Sequence, residues 1–326
     1  MLALFLGAGF GKWAAGLPLA TQLFDFAVEI WGPRDRKRLA VVRSRKETWD
    51  QAHPDGLAEQ FIADALELPE KDRRAILWYI VRRLTEPFIW REFHAHRRRR
   101  RVLTVDENRR FDIGGVVKAK GLIEQFRGSS LSGIVTTNYD MLVEYALGTK
   151  GFNYGVPGEV LTGRGPYPVS QWRNPVRLKG EVPVAKIHGS ISWDENGHYT
   201  DGRRAITGGA LIVPPTPEKT PPALLDHVWA LARGILERAA ALLVFGFAFN
   251  PYDEAVLKLL QSAGRHLESV LVIDIDPSIQ RASELWPAAT VTFSQPPPDG
   301  DHSIELWRNS VSTGARTRQR RASQTP

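Results

Sequence analysis

Short apolar runs, each halted by a glycine or a polar cluster, constrain this chain more than any other feature. Leu2–Leu6 is apolar throughout and stops at Gly7-Ala8-Gly9-Phe10-Gly11. A strand buried on both faces reads as such a run, because helices cover its sheet on either side. The form returns at 133–137 before Asn138-Tyr139-Asp140, and at 182–188, where His188 precedes Gly189. It returns again at 242–245 before Gly246, at 270–273 before Asp274-Ile275-Asp276, and at 290–293. Helical periodicity fills the intervals at 141–147, 224–241, 253–263 and 279–285. Near the start, Pro18 suits the first turn of a helix, with Leu19, Leu23, Phe26, Ala27 and Ile30 following at helical spacing. Strands alternating with helices predict an α/β fold, a doubly wound (Rossmann-like) parallel sheet. In such sheets ligands bind in the crevice outside the carboxyl ends of the strands.

One long stretch departs from this rhythm. Residues 31–130 have few strand signals and show helical periodicity at 57–68 and 76–84, with Leu122, Ile123 and Phe126 reading as part of a further helix. We read 31–130 as a helical insertion between the two parts of a nucleotide-binding domain, 1–30 and 131–294. The insertion carries an arginine run at 97–101. Asn196-Gly197 marks a hairpin turn, and a short strand at 211–213 is closed by Pro214-Pro215. Residues 295–326 are a Pro-rich segment followed by a basic tail with Arg316, Arg318, Arg320 and Arg321, which is expected to be disordered.

Composition removes several classes of chemistry. None of the 326 residues is cysteine, which excludes disulfides, thiol catalysis and any cysteine-ligated zinc site. No run reaches the roughly 18 apolar residues of a membrane-spanning helix. The start of the chain has no basic n-region, and Lys12 interrupts its apolar stretch, so a strand and glycine turn account for it better than a signal peptide. A cytoplasmic protein with no membrane partner is the expectation. The net charge of +7 favours anionic partners, nucleic acid included.

The loops at the strand ends hold the chemistry-bearing residues, and each has two readings. Glycines in the opening loop let backbone N–H groups approach a phosphate at the start of a helix, or simply form a tight turn. The acidic residue that the usual dinucleotide fingerprint places about 20 positions on is missing from a strand end: Asp25 and Glu29 fall on a helical pattern. Asn138 and Asp140, two apart at a strand end, either face one cleft or cap the helix that follows. His188 reaches the same sheet edge as a functional or a structural histidine, and Gly189 after it hints at close backbone approach. Asp274 suits either a ribose hydroxyl or a helix cap.

In their order along the chain, these loops resemble those of the sirtuin superfamily. Gly7-Ala8-Gly9 with Gly16-Leu17-Pro18 is similar to its opening phosphate-and-ribose loop, and His188-Gly189 to its catalytic His-Gly pair. Thr137-Asn138-Tyr139-Asp140 is similar to its Thr-x-Asn-x-Asp segment, with the spacing kept only if Thr136 is counted. Gly246 and Asp274 stand where its later glycine loop and adenosine-ribose residue stand. The resemblance covers about 1–30 and 131–293. Gly11 replaces a residue that is often serine in the family, and the four-cysteine zinc ribbon of its deacylases is absent. In this the chain is similar to the cysteine-free sirtuin-like NAD hydrolases of bacterial antiphage defence.

That resemblance implies cleavage of the nicotinamide–ribose bond of NAD, with NAD as substrate and no metal. It assigns Asn138, Asp140 and His188 to catalysis and Gly7, Ala8, Gly9, Phe10, Thr137, Gly246 and Asp274 to nucleotide binding. It implies an abortive-infection effector held quiet until it meets a second copy of itself, a companion defence protein or nucleic acid. The arginines at 97–101 are either a solvated basic face or a contact for such a partner. The alternative is a non-catalytic nucleotide- or nucleic-acid-binding subunit with the same fold. A zinc-free deacylase is a third reading.

Overall fold

The computed structural model describes residues 1–26, 33–95, 113–127, 131–148, 151–154, 167–168, 182–194, 198–199, 209–215, 223–275, 279–297 and 304–311. The arginine run, the Asn196-Gly197 turn and the basic tail lie outside them. In chain order the strands are β1 (Leu2–Leu6), β2 (Leu131–Thr136), β3 (Phe152–Asn153), β4 (Tyr167–Pro168), β5 (Val182–Lys186), β6 (Gly189–Asp194), β7 (His198–Tyr199), β8 (Ala210–Ile212), β9 (Ala241–Phe245), β10 (Ser269–Ile273) and β11 (Thr290–Ser294). The helices are α1 (Ala8–Ala15), α2 (Ala20–Leu23), α3 (Pro33–Ala52), α4 (Ala58–Leu66), α5 (Glu70–Ala95), α6 (Ile113–Arg127), α7 (Leu142–Leu147), α8 (Asp226–Glu237), α9 (Glu254–Ala263) and α10 (Ile279–Leu285).

The main sheet has seven strands in the order β11-β10-β9-β1-β2-β5-β3. Its pairings are parallel. Leu6 pairs with both Thr136 and Phe245, Thr136 with Lys186, and Phe245 with Ile273. The carboxyl ends of five strands therefore finish level. From β1 the chain builds outward through β2 to β5, then returns to place β9 on the opposite side of β1. That reversal is the topological switch point of a doubly wound sheet, the place where such sheets bind ligands. The expected α/β class is the observed one. Every side chain of β1 and β9 is buried, as strands covered on both faces require.

The described residues pack around two hydrophobic cores. The first joins the parallel sheet to α1, α6, α7, α8 and α9. The second gathers residues of α3, α4 and α5 around Phe61, Ile62 and Tyr79, and adds Met141, Ile191, Ala210 and Ile212. The last three come from β6 and β8, in a small antiparallel sheet ordered β4-β7-β6-β8. Helix α6 belongs to the first core through Ala119, Leu122, Ile123 and Phe126, although the sequence reading placed it with the helical insertion.

Two other expectations are corrected. The first helix starts at Ala8, directly after β1, and not at Pro18. Gly16 ends it in the left-handed region at φ 66, and α2 is only a single turn, Ala20–Leu23. A glycine at that position takes a conformation that strains other residues, so the chain unwinds before Pro18 rather than at it. Residues 304–311, read as part of the tail region, are helical. Ile304 and Trp307 are buried there, and the Trp307 indole donates to Ser269 Oγ at 3.0 Å. Among the described residues no helix is long and apolar enough to cross a membrane.

Candidate functional site at the seam between two cores

The level strand ends bring the sequence-selected loops to one edge of the sheet. Gly7, Gly9 and Gly246 meet there, and they approach one another. Gly7 N–H donates to Phe245 O at 2.9 Å, Gly9 N–H to Gly246 O at 2.9 Å and Phe10 N–H to Gly7 O at 3.0 Å. A Cβ on Gly9 would lie 2.6 Å from Gly246 Cα, and one on Gly246 would lie 2.3 Å from Phe10 N. These glycines thus serve the contact between the β1 and β9 loops, and their N–H groups already have acceptors. Because α1 starts at Ala8, the Phe10 ring falls on the inward face, fully buried against Phe245 with ring centroids 5.5 Å apart. Ala8 is the exposed residue of this loop.

The β2 loop is built by Thr136, a residue the sequence reading mentioned only for its spacing. Its hydroxyl donates to Leu6 O at 2.7 Å and accepts the Asn138 N–H at 3.1 Å. Thr137 stands beside it, half-buried, with its N–H on Leu6 O at 3.2 Å. Asn138 is buried and donates from Nδ2 to Gly7 O at 2.9 Å. A carbonyl accepts only from the NH2 end of the amide, so Asn138 Oδ1 remains as the acceptor. Asp140 is also buried, and its Oδ1 accepts the Leu142 N–H at 2.8 Å. The capping reading of Asp140 is therefore met in part.

Beneath this loop lies a buried charge pair. Lys186 Nζ and Glu144 Oε1 are 2.9 Å apart, with both side chains 1% exposed. Lys186 also donates to the Asp140 carbonyl, and the Tyr154 hydroxyl donates to Glu144 Oε1 at 2.7 Å. Removing one partner of such a pair leaves an uncompensated buried charge. Lys186→Ala is expected to destabilise the protein by about 3–5 kcal/mol, read as a lowered urea midpoint. Glu144→Gln, which keeps an acceptor for Tyr154, is expected to cost less.

Asp140 makes a second stability prediction. Burial pushes its carboxyl above the ordinary carboxylate value, while the Lys186 ammonium and the Leu142 N–H pull it partly back. The folded chain then keeps this proton to a higher pH than the unfolded chain. Across the window from the ordinary value to the raised one, stability therefore falls as pH rises. Asp140→Asn keeps an oxygen for Leu142 N–H and removes the loss. It is expected to be more stable than the parent at pH 7, with a flatter acid-side profile in urea denaturation.

His188 sits in the turn that carries the chain from β5 of the main sheet into β6 of the small one. Gly189 has φ 82, and a Cβ there would be 2.2 Å from Leu211 O, so the anticipated close backbone approach is present. Val213 N–H donates to His188 O at 2.9 Å, and the Tyr139 ring lies 6.4 Å from the imidazole. His188 Nε2 is 3.2 Å from Asp253 Oδ1, both side chains being buried. Asp253 was not singled out in the sequence, where it reads as the start of a helix. Asp274 follows β10 at the same edge, and its Oδ1 accepts the Ile275 N–H at 2.7 Å.

Asn138, Asp140 and His188 thus stand where the two cores meet. Links run from Gly7 to Asn138, from Asn138-Tyr139-Asp140 to His188 through the Tyr139 ring, and from His188 to Asp253. Among the described residues no cluster of three or more metal-binding side chains occurs.

Fold and site together define a doubly wound α/β protein with polar residues grouped at its strand ends. No family model matches the sequence, and no curated protein does. The structural neighbours are Sir2 sirtuins. Sir2Tm bound to a propionylated peptide aligns over 97% of this chain and 93% of its own at 13% identity, with a TM-score of 0.36. Sir2 in complex with an inhibitor, 2'-O-acetyl-ADP-ribose and a deacetylated peptide aligns over 97% and 94% at 14% identity, TM-score 0.39. A Sir2 homologue mutant in complex with 2'-O-acetyl-ADP-ribose aligns over 96% and 92% at 15% identity, TM-score 0.41.

Proposed function

We propose that this chain is an NAD hydrolase that cleaves the nicotinamide–ribose bond to give nicotinamide and ADP-ribose. The observation that carries the reading is the meeting of Asn138, Asp140 and His188 at one seam, in the loop order that resembles the sirtuins. In the reaction the C1'–N bond breaks, and nicotinamide leaves as a neutral base with the bonding pair. Water adds to the oxocarbenium-like carbon and gives up a proton. Asn138, its Nδ2 held by Gly7, offers Oδ1 to the ribose or the attacking water. Asp140, buried and held by the Leu142 N–H, pairs with the nicotinamide carboxamide. His188 accepts the proton as general base. Buried polar groups fixed in advance stabilise developing charge better than mobile water does.

For the rest of the nucleotide, the exposed Ala8 at the start of α1, Thr137 and Asp274 contact pyrophosphate and ribose. Gly7, Gly9 and Gly246 act instead by letting the loops close together. Activity that empties a cell of NAD calls for a gate. The basic segments suit docking to a second copy, a defence partner or nucleic acid, in the role of an antiphage effector.

Purified protein is incubated with NAD across protein concentration and salt, alone and with nucleic acid, and the products are separated by chromatography. Nicotinamide and ADP-ribose in equal amounts are expected, rising with protein concentration or with the added partner. NAD bound but intact throughout would favour the non-catalytic reading. Product formation only with an acylated peptide would favour deacylation.

A further inference from the structure

We infer that Asp253 is the positioning residue of His188, fixing the imidazole as its Nε2–H tautomer and so assigning the base function to Nδ1. This deepens the hydrolase reading and rests on it for its catalytic meaning. The contact itself spans 65 residues of sequence and is 3.2 Å long. An ionised carboxylate only accepts hydrogen bonds, so the proton between Asp253 Oδ1 and the ring must sit on Nε2. In the neutral ring the lone pair is then on Nδ1. When that nitrogen takes up a proton, the adjacent carboxylate stabilises the imidazolium.

The loop that delivers Asp253 is built for a fixed position. Asp253 stands at the N-cap of α9, where an aspartate ordinarily bonds the first-turn N–H groups. Its side chain makes no such cap and turns instead to His188. Its own N–H donates to Asn250 O at 3.0 Å, and Tyr252 N–H donates to Asn250 Oδ1 at 3.1 Å. Upstream, Phe249 has φ 50, a conformation rare for a bulky residue that persists only where surroundings enforce it. Here they do: the Phe249 ring is buried against Phe247 and Trp286, and Arg281 Nη1 donates to its carbonyl at 2.8 Å. A helix start without its usual cap, at the end of a strained and clamped loop, is a costly arrangement for packing alone. It is accounted for if the carboxylate is needed at His188.

The test uses the full chain with 15N-labelled histidine, with the His188 signals identified by their loss in His188→Ala. At a pH where the ring is neutral, the parent is expected to show His188 as the Nε2–H tautomer. Asp253→Asn and Asp253→Ala are expected to show a mixture or the opposite tautomer, and Asp253→Glu to keep the parental one. Unchanged His188 nitrogen shifts in Asp253→Asn would overturn the inference, and this variant, close to isosteric, covers the case in which Asp253→Ala does not fold. In NAD cleavage, kcat is expected to fall about 10²–10⁴-fold in Asp253→Asn with KM little altered, and Asp253→Glu to recover part of it. The nitrogen shifts do not depend on turnover. A tautomer change in a chain that never cleaves NAD would therefore sustain the pairing and count against the hydrolase reading alone.

Discussion

Asn138→Ala and His188→Ala are expected to lose NAD cleavage while keeping the parental fold. Both side chains are buried at the seam, and neither belongs to a hydrophobic core. Removing a general base costs about 10²–10⁴-fold in rate, which places His188→Ala near the floor of a chromatographic assay. Asn138→Ala also loses the Nδ2 bond to Gly7 O, a net cost of about 1 kcal/mol in stability. That is too little to unfold a domain of ordinary stability. Circular dichroism and a urea titration separate the two effects. A variant that folds like the parent and still turns over NAD at the parental rate would remove that residue from the mechanism.

Gly246→Ala is expected to be among the most damaging single-methyl changes at the described residues. Its φ of 66 already disfavours alanine, and the new Cβ would sit 2.3 Å from Phe10 N and 2.4 Å from Gly9 Cα. Those contacts are backbone, from a loop tied between β1 and α1, and they cannot swing aside as a side chain would. A loss of more than about 4 kcal/mol is expected, outside the common range for point changes. Gly121→Ala is the matched control. It lies inside α6 with nothing within 4 Å of the added methyl, so a gain of about 0.5–1 kcal/mol is expected. Thermal unfolding of the two proteins side by side checks both signs.

The sheet was legible because parallel strands buried on both faces leave an unambiguous mark. Leu2–Leu6 and the runs ending at Phe245 and Ile273 lie within a residue of where they were read. The helical insertion was legible as periodicity, but its packing partners were not. Nothing local in Leu122, Ile123 or Phe126 says which of two apolar cores they join. Nor does anything in Ile191 or Ile212 announce that the small sheet completes the other core. The loops at the level strand ends could be placed from sequence because position in the chain sets position at the edge. Asp253 was missed because its partner is 65 residues away and its local pattern reads as a helix cap. Thr136 drew attention only for its spacing, since its hydroxyl bonds the neighbouring strand and the loop at once. The burial of the Phe10 ring was not legible, because a glycine-rich turn hides the helix that starts inside it.

The central claim is tested most directly in a single-turnover experiment. Purified parent, in excess over NAD labelled in its nicotinamide ring, is incubated to completion beside Asn138→Ala, and released nicotinamide is separated from intact NAD. The protein is used at a high absolute concentration, which favours assembly of a chain held quiet when dilute, and one turnover suffices. Release of labelled nicotinamide by the parent, with ADP-ribose in equal amount and none from Asn138→Ala, is the predicted result. Label that stays in intact NAD with the parent, or leaves it equally with Asn138→Ala, would contradict the account.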